Sequence, residues 1–175
     1  MLALPVELSS RSGRFRVREA TAEDLDALVS LLTSDPVSAA RGDAGSAADR
    51  DAFARGLAAI DADPRNAQLV AERDRELVAT LQLTTIPGLS RRGATRLQVE
   101  AVHVRDDLRS EGIGSALMRW VSDVAAPSLG ADFIQLTSDN ARVDAHRFYE
   151  RLGFAKSHTG FKLPVGAARS TSPRR

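Results

Sequence analysis

The sequence predicts a mixed α/β fold built on an antiparallel meander, and three observations carry that expectation. Three β-like runs, 68–72, 76–86 and 95–104, follow one another with only turn-forming residues between them. The last of them leads through a charged, glycine-containing loop into apolar residues at helical spacing. After Asp132 a short apolar run, a second helical stripe and a further β-like run follow. A chain of 175 residues is long enough for one domain with a sizeable core. We expect that domain at 14–165, after a flexible arm at 1–13 and before a disordered tail at 166–175.

Each element has its own warrant. Arg14 to Glu19 alternates charged and apolar side chains, the period of a half-buried strand. Thr21-Ala22-Glu23-Asp24 is a capped helix start, and Leu25, Leu28, Leu31 and Leu32 continue it as an amphipathic stripe. From Thr33 to Arg50 the composition turns to Ser, Asp, Gly, Ala and Pro, a long loop that is either functional or a plain connection. A helix is expected around Asp51 to Asp61. Gln68 to Glu72 and Glu76 to Ile86 are strands joined by an Arg73-Asp74-Arg75 hairpin. Beyond Pro87-Gly88 and Arg91-Arg92-Gly93, Thr95 to Val104 forms the third meander strand. The arginine pair marks a solvated turn or an attraction for an acidic substrate. Ile113, Leu117, Val121 and Val124 make a helical stripe that Pro127 stops. Phe133 to Leu136 is a short strand; Val143, Ala145, Phe148, Tyr149 and Leu152 line a helix that ends at Gly153 in a left-handed cap. Phe154 to Leu163 is expected as the last strand.

Composition narrows the function. With 24 basic and 23 acidic residues, no global field points to nucleic acid or to a membrane surface. There are no cysteines, which removes disulfides, thiolate metal sites and a Cys nucleophile. His103, His146 and His158 are scattered, without metal-ligand spacing, so no metal is expected. No apolar run reaches spanning length and the first residues lack the apolar core of a signal peptide, so a cytoplasmic protein is expected.

The stretch from Gln98 to Ala116 holds the chemistry. Val99, Val102 and Val104 favour a strand, and Gly112 and Gly114 let the backbone approach a ligand at the start of the next helix, whose free amides and dipole suit an anion. Glycines at such a junction also serve purely conformational needs. Arg109-Ser110-Glu111-Gly112-Ile113-Gly114 fits R/Q-x-x-G-x-G/A, and here the chain resembles the GCN5-related N-acetyltransferases, the GNAT family, which hold the pyrophosphate of acetyl-coenzyme A with that motif. Ala145-His146-Arg147-Phe148-Tyr149-Glu150-Arg151-Leu152-Gly153-Phe154 is similar to the second family signature, A-x-x-F-Y-x-x-x-G-F. The resemblance covers about 15–163. It implies a mostly antiparallel central sheet flanked by helices, in the order β-α-α-β-β-β-α-β-α-β, and makes 14–165 a single acetyltransferase domain.

The resemblance also implies roles. Arg109, Ser110, Glu111, Gly112, Ile113, Gly114 and Ser115 match the pyrophosphate loop. Val102, His103 and Val104 match the strand segment whose backbone pairs with the pantetheine arm, and Ala145, with Asn140, falls in the second contact region. Family members often carry Asn three residues before that Ala; here Arg142 stands there and Asn140 is two residues earlier. Glu100 is placed as the base for the amine proton, its rival role being a strand carboxylate paired with an Arg. In plain alternation Glu100, Val102 and Val104 share one strand face. Tyr149, the single tyrosine, falls where the phenol protonates the departing sulfur; a packing tyrosine is the rival. His146 and His158, in A-H-R-F-Y and S-H-T-G-F, make this segment similar to the aminoalkylphosphonate acetyltransferase branch.

The expected activity is therefore acetyl transfer from acetyl-coenzyme A to a primary amine, of a small molecule by preference, through direct attack in a ternary complex. A non-catalytic acyl-coenzyme A sensor and a peptide N-acetyltransferase are the alternatives. Exposed terminal strands would also let two copies pair as a homodimer.

Overall fold

Val6 and Leu8 alternate with Glu7 and Ser9, and this short period-two run is the first strand, β1 (Val6–Ser10). The computed structural model describes residues 2–34, 47–163 and 165. β1 pairs antiparallel with β2 (Gly13–Glu19), Leu8 opposite Phe15 and Ser10 opposite Gly13. Residues expected as a loose arm thus include an edge strand. Its pairing with the amphipathic Arg14 to Glu19 run gives Val6 and Leu8 a partner that local sequence does not announce.

The chain forms two compact units, divided after Leu136. In the first, six strands run in the order β1-β2-β3-β4-β5-β6. β3 (Asn66–Arg73) and β4 (Glu76–Pro87) form the expected hairpin, closed by Asp74 and Arg75, both at positive φ, 54° and 67°. Such a two-residue turn matches the twist of the flanking strands. β5 (Thr95–Val104) pairs antiparallel with β4, and β6 (Phe133–Leu136) pairs parallel with β5. Leu69 opposite Leu81 and Leu83 opposite Val99 stack one face of the sheet with side chains at most 1% exposed. Burial at this density is the main favourable contribution to the fold.

The helices bury the stripes the sequence marks. Asp24 accepts from the Thr21 amide at 2.8 Å, and α1 (Leu25–Thr33) follows with Leu25, Leu28 and Leu31 buried. Arg18 ties this corner to the sheet, donating to Asp24 at 2.7 Å and to Glu72 at 3.0 Å. α2 (Ala47–Asp61) starts earlier than the expected Asp51. The remainder of the long loop, 35–46, lies outside the described residues.

α3 (Ile113–Trp120) packs along β1 and β5. It continues through a π-helical turn, Val121–Ala125, into Ala126–Ser128. The wide turn inserts about one residue into the helical phase. The buried stripe therefore passes from Ile113, Leu117 and Val121 to Ala125, while Val124, expected on it, is 50% exposed. The helix ends at Ser128, one residue past Pro127, which has no amide to donate to the preceding turn.

In the second unit α4 (Val143–Arg151) ends as expected. Gly153 takes φ +90°, and the Phe154 amide donates back to Tyr149 O at 3.0 Å, a Schellman cap. The strand expected at Phe154 to Leu163 is not formed. Ser157 N instead bonds Ala155 O at 3.0 Å, a local turn in place of a ladder, and Phe161 is 92% exposed. The polar Lys156-Ser157-His158-Thr159-Gly160 has little to bury against a sheet. The expected tail, 166–175, lies outside the described residues. Among the described residues no helix is long and apolar enough to cross a membrane.

Candidate active site

β5 is where the first unit departs from regular geometry. Gln82 pairs with Glu100 and Thr80 with His103, so β5 carries one residue more than β4 across the same interval. Ala101 absorbs it at φ +50°. A bulge of this kind re-aims the strand and breaks its ladder. It also breaks the alternation expected here, since Glu100 and His103, opposite Gln82 and Thr80, now share a face. On the other edge β6 accompanies β5 only from Arg96 to Val99. Val102, His103 and Val104 lie past that point, half-buried and beyond the reach of the β6 ladder.

The chain then turns through Asp106–Leu108 into the helix start. Ser110 takes φ +68° and Gly112 φ +91°. Gly112 is the N-cap of α3, and no side chain caps the first turn. The opening amides of a helix lack intrahelical acceptors, so at Ile113, Gly114 and Ser115 they suit an anion. The backbone carbonyls just before them are already satisfied. Arg11 N donates to Glu111 O at 3.0 Å, and the Arg11 guanidinium donates to Ser110 O.

Two residues assigned to this loop have protein partners of their own. Arg109 is paired with Asp106 at 2.6 Å on the surface. Glu111 faces the two hairpins, accepting from Arg73 at 3.0 Å. The Ser12 hydroxyl and then the Arg73 guanidinium hold its carboxyl below the ordinary value. Glu111 therefore braces the loop, and its negative charge is directed to Arg73.

Glu100 is exposed on β5. It is not isolated on the sheet. Gln68 pairs with Gln82 and Gln82 with Glu100, a polar row across β3, β4 and β5 on one face. Gln68 and Gln82, together with Ala101, floor a cavity of about 370 Å³ between the sheet and helices α1 and α2. Sequence reading passed over both glutamines. Their signal is a polar residue inside an apolar β run, Ala67-Gln68-Leu69 and Leu81-Gln82-Leu83; their alignment depends on register, which that signal does not carry.

Asn140, Ala145 and Tyr149 belong to the second unit. Asn140 is exposed in the turn before α4. Tyr149 stands edge-on to Phe148, ring centres 5.1 Å apart, and to Phe154, 5.7 Å apart. Burial pushes its phenol above the ordinary value of 10.0, against the opposing charge of Arg142. The group therefore remains a proton donor at neutral pH. His146 bonds Asp139 O at 2.9 Å and His158 bonds the Ser157 hydroxyl at 2.7 Å. Arg91, one of the turn arginines, lies 4.9 Å over the Phe133 ring. Among the described residues no group of His, Asp and Glu is arranged to hold a metal.

Comparison with known proteins places the chain's family and fold. The model of the acetyltransferase (GNAT) family matches residues 25–154. An aminoalkylphosphonate N-acetyltransferase of Salmonella typhimurium is 30% identical over 145 residues, 83% of this chain and 88% of that protein. The crystal structure of a transcriptional regulator from Bacillus halodurans C-125 superposes with a TM-score of 0.80 at 37% identity, over 86% of this chain and 99% of that one. Glucosamine-6-phosphate N-acetyltransferase from Arabidopsis thaliana shares the fold, with a TM-score of 0.69 at 17% identity, over 87% of this chain and 99% of that one.

Proposed function

Because the chain belongs to the acetyltransferase (GNAT) family and is an N-acetyltransferase, we propose that it moves an acetyl group from acetyl-coenzyme A to the primary amine of a small molecule. The observation that carries the donor side is the continuous path from the β5 bulge to Gly112. Strand backbone without a β6 partner leads into a helix start without a side-chain cap. Those groups suit an amide-bearing arm that ends in a pyrophosphate, with Val102, His103 and Val104 along the arm and Gly112 to Ser115 at the anion.

Acetyl-coenzyme A, when bound, supplies a thioester as the acetyl donor. The amine nitrogen forms the new C–N bond as the C–S bond breaks. Glu100 takes the proton that the nitrogen sheds, through water, which its exposed position allows. The Tyr149 phenol delivers a proton to the leaving sulfur and is kept protonated for that purpose by its setting. No Cys is present to carry the acetyl group, so direct attack within a ternary complex is the route. The small-molecule acceptor accords with the Salmonella relative, which is named for aminoalkylphosphonates.

Titration calorimetry of acetyl-coenzyme A, followed by thiol release over a panel of amines, tests the proposal. Binding with amine-dependent release supports it, and Glu100→Gln should lower kcat while leaving donor binding intact. Absence of donor binding would overturn it.

A further inference from the structure

We propose that the acceptor is a primary amine carried by an uncharged, apolar body, and that amines bearing a phosphonate, phosphate or carboxylate are poor substrates. The inference rests on the acetyltransferase reading and concerns the cavity beside the Ala101 bulge. Its roof is apolar, with Leu28 from α1 and Phe53, Leu57 and Ile60 from α2. Asp49 is the one charged residue among the described lining residues, and it is an acid. An oxyanion brought here would lose its water without gaining a cation.

The floor has the complementary preference, and its hydrogen bonds show why. The Thr80 hydroxyl donates to Leu69 O at 2.8 Å. Its proton is thus committed, and toward Gln68 it accepts, from Nε2 at 2.7 Å. The same Nε2 reaches Leu81 O at 3.3 Å. Both bonds use the amide's donor side, which leaves the Gln68 carbonyl oxygen as its remaining hydrogen-bonding atom. Gln82 likewise turns Nε2 toward Thr84 Oγ1, at 3.4 Å. The carbonyl oxygens of Gln68 and Gln82 thus stand as acceptors on the floor, and Glu100, outside the cavity lining, follows Gln82 along the sheet. Acceptors suit an N–H-bearing head group and repel an anion. The cavity volume, about 370 Å³, is that of a small-molecule site. Apolar body under the helices and amine on the polar row place the nucleophile beside the bulge.

The test compares matched amines on the full-length protein with acetyl-coenzyme A: phenethylamine against phenylalanine, and butylamine against aminopropylphosphonate. We expect kcat/KM for the uncharged-body member of each pair to exceed its partner's by about tenfold or more. Equal or reversed preference overturns the inference, as does failure of both uncharged amines to react or to bind the coenzyme A-loaded protein. Gly56→Leu provides a second arm. Gly56 lines the cavity within α2, and a Cβ there meets nothing within 4 Å among the described residues. A leucine should project into the space without disturbing the fold, raising KM for phenethylamine about tenfold while acetyl-coenzyme A affinity is unchanged. Unchanged KM in that variant sinks the cavity assignment. Loss of acetyl-coenzyme A binding by the unmodified protein would instead sink the acetyltransferase donor site, which separates the two failures.

Discussion

Arg73, at the end of β3, donates to the Glu111 carboxylate at 3.0 Å, so a hairpin far away in sequence holds the loop that opens α3. The same guanidinium reaches Ser12 O at 3.2 Å and Ser12 Oγ at 3.0 Å. Arg11, beside Ser12, bonds the backbone of Ser110 and Glu111. Two hairpin turns and the glycine loop are thereby fastened together. The uncapped amides of α3 gain their position from this brace.

Arg73→Met should therefore act on the donor site without touching the reacting atoms. KM for acetyl-coenzyme A is expected to rise about five- to tenfold with kcat little changed. The pH dependence has a definite sign. Glu111 has a depressed carboxyl value in the folded protein, so its contribution is fully present above the ordinary value of 4.5 and disappears as pH falls through the lower, native value. Arg73→Met should reduce that acid sensitivity without abolishing it, since the Ser12 hydroxyl, the larger cause, remains. A donor KM equal to that of the unmodified protein would show that the brace does not position the loop.

Gly112→Ala tests the backbone itself. At φ +91° the added Cβ would meet Arg11 N at 3.5 Å, an ordinary contact, so the cost is conformational and not a clash. About 1–2 kcal/mol of stability should be lost, together with weaker binding of acetyl-coenzyme A. Denaturant unfolding and calorimetry measure the two effects.

Arg75→Gly is expected to work in the opposite direction. Arg75 is exposed and sits at φ 67° in the β3–β4 turn, a conformation that glycine adopts without strain. Relief of that strain should stabilise the protein by about 1 kcal/mol. Melting temperature should increase and kcat should not change. A lower melting temperature would mean that the arginine makes a contribution the turn geometry does not reveal.

Tyr149→Phe keeps the ring stack with Phe148 and Phe154 and removes only the proton. If the phenol is the acid, kcat should fall by about 10²–10⁴ with the melting temperature nearly unchanged. Because burial raises the phenol above 10.0, loss of its proton should not limit activity until pH exceeds that value. A variant with full kcat would assign Tyr149 to packing alone.

Much of this is visible in the linear chain wherever the deciding forces are local. The Asp74-Arg75 turn, the Thr21 to Asp24 cap and the left-handed Gly153 each depend on a few neighbouring residues, and the cap and the glycine lie where their residue types require. The Arg109 to Gly114 motif is local in the same way: positive φ at Gly112 and an uncapped helix start follow from the glycine. The errors fall where partners are distant. Val6–Ser10 is a strand only because Gly13–Glu19 offers it an edge. Phe154 to Leu163 has the apolar ends of a strand but spends its bonds in a local turn.

By itself the sequence determines the family, the strand and helix order through the middle of the chain, and the glycine loop, since turn chemistry, hydrophobic period and capping act over a few residues. Only the tertiary structure decides that Ala101 bulges, that Gln68, Gln82 and Glu100 stand in one row, and that Glu111 answers to Arg73. Those relationships are set by strand register and hairpin packing. Register is a non-local balance, in which a shift by one residue would send every side chain of a strand to the opposite face.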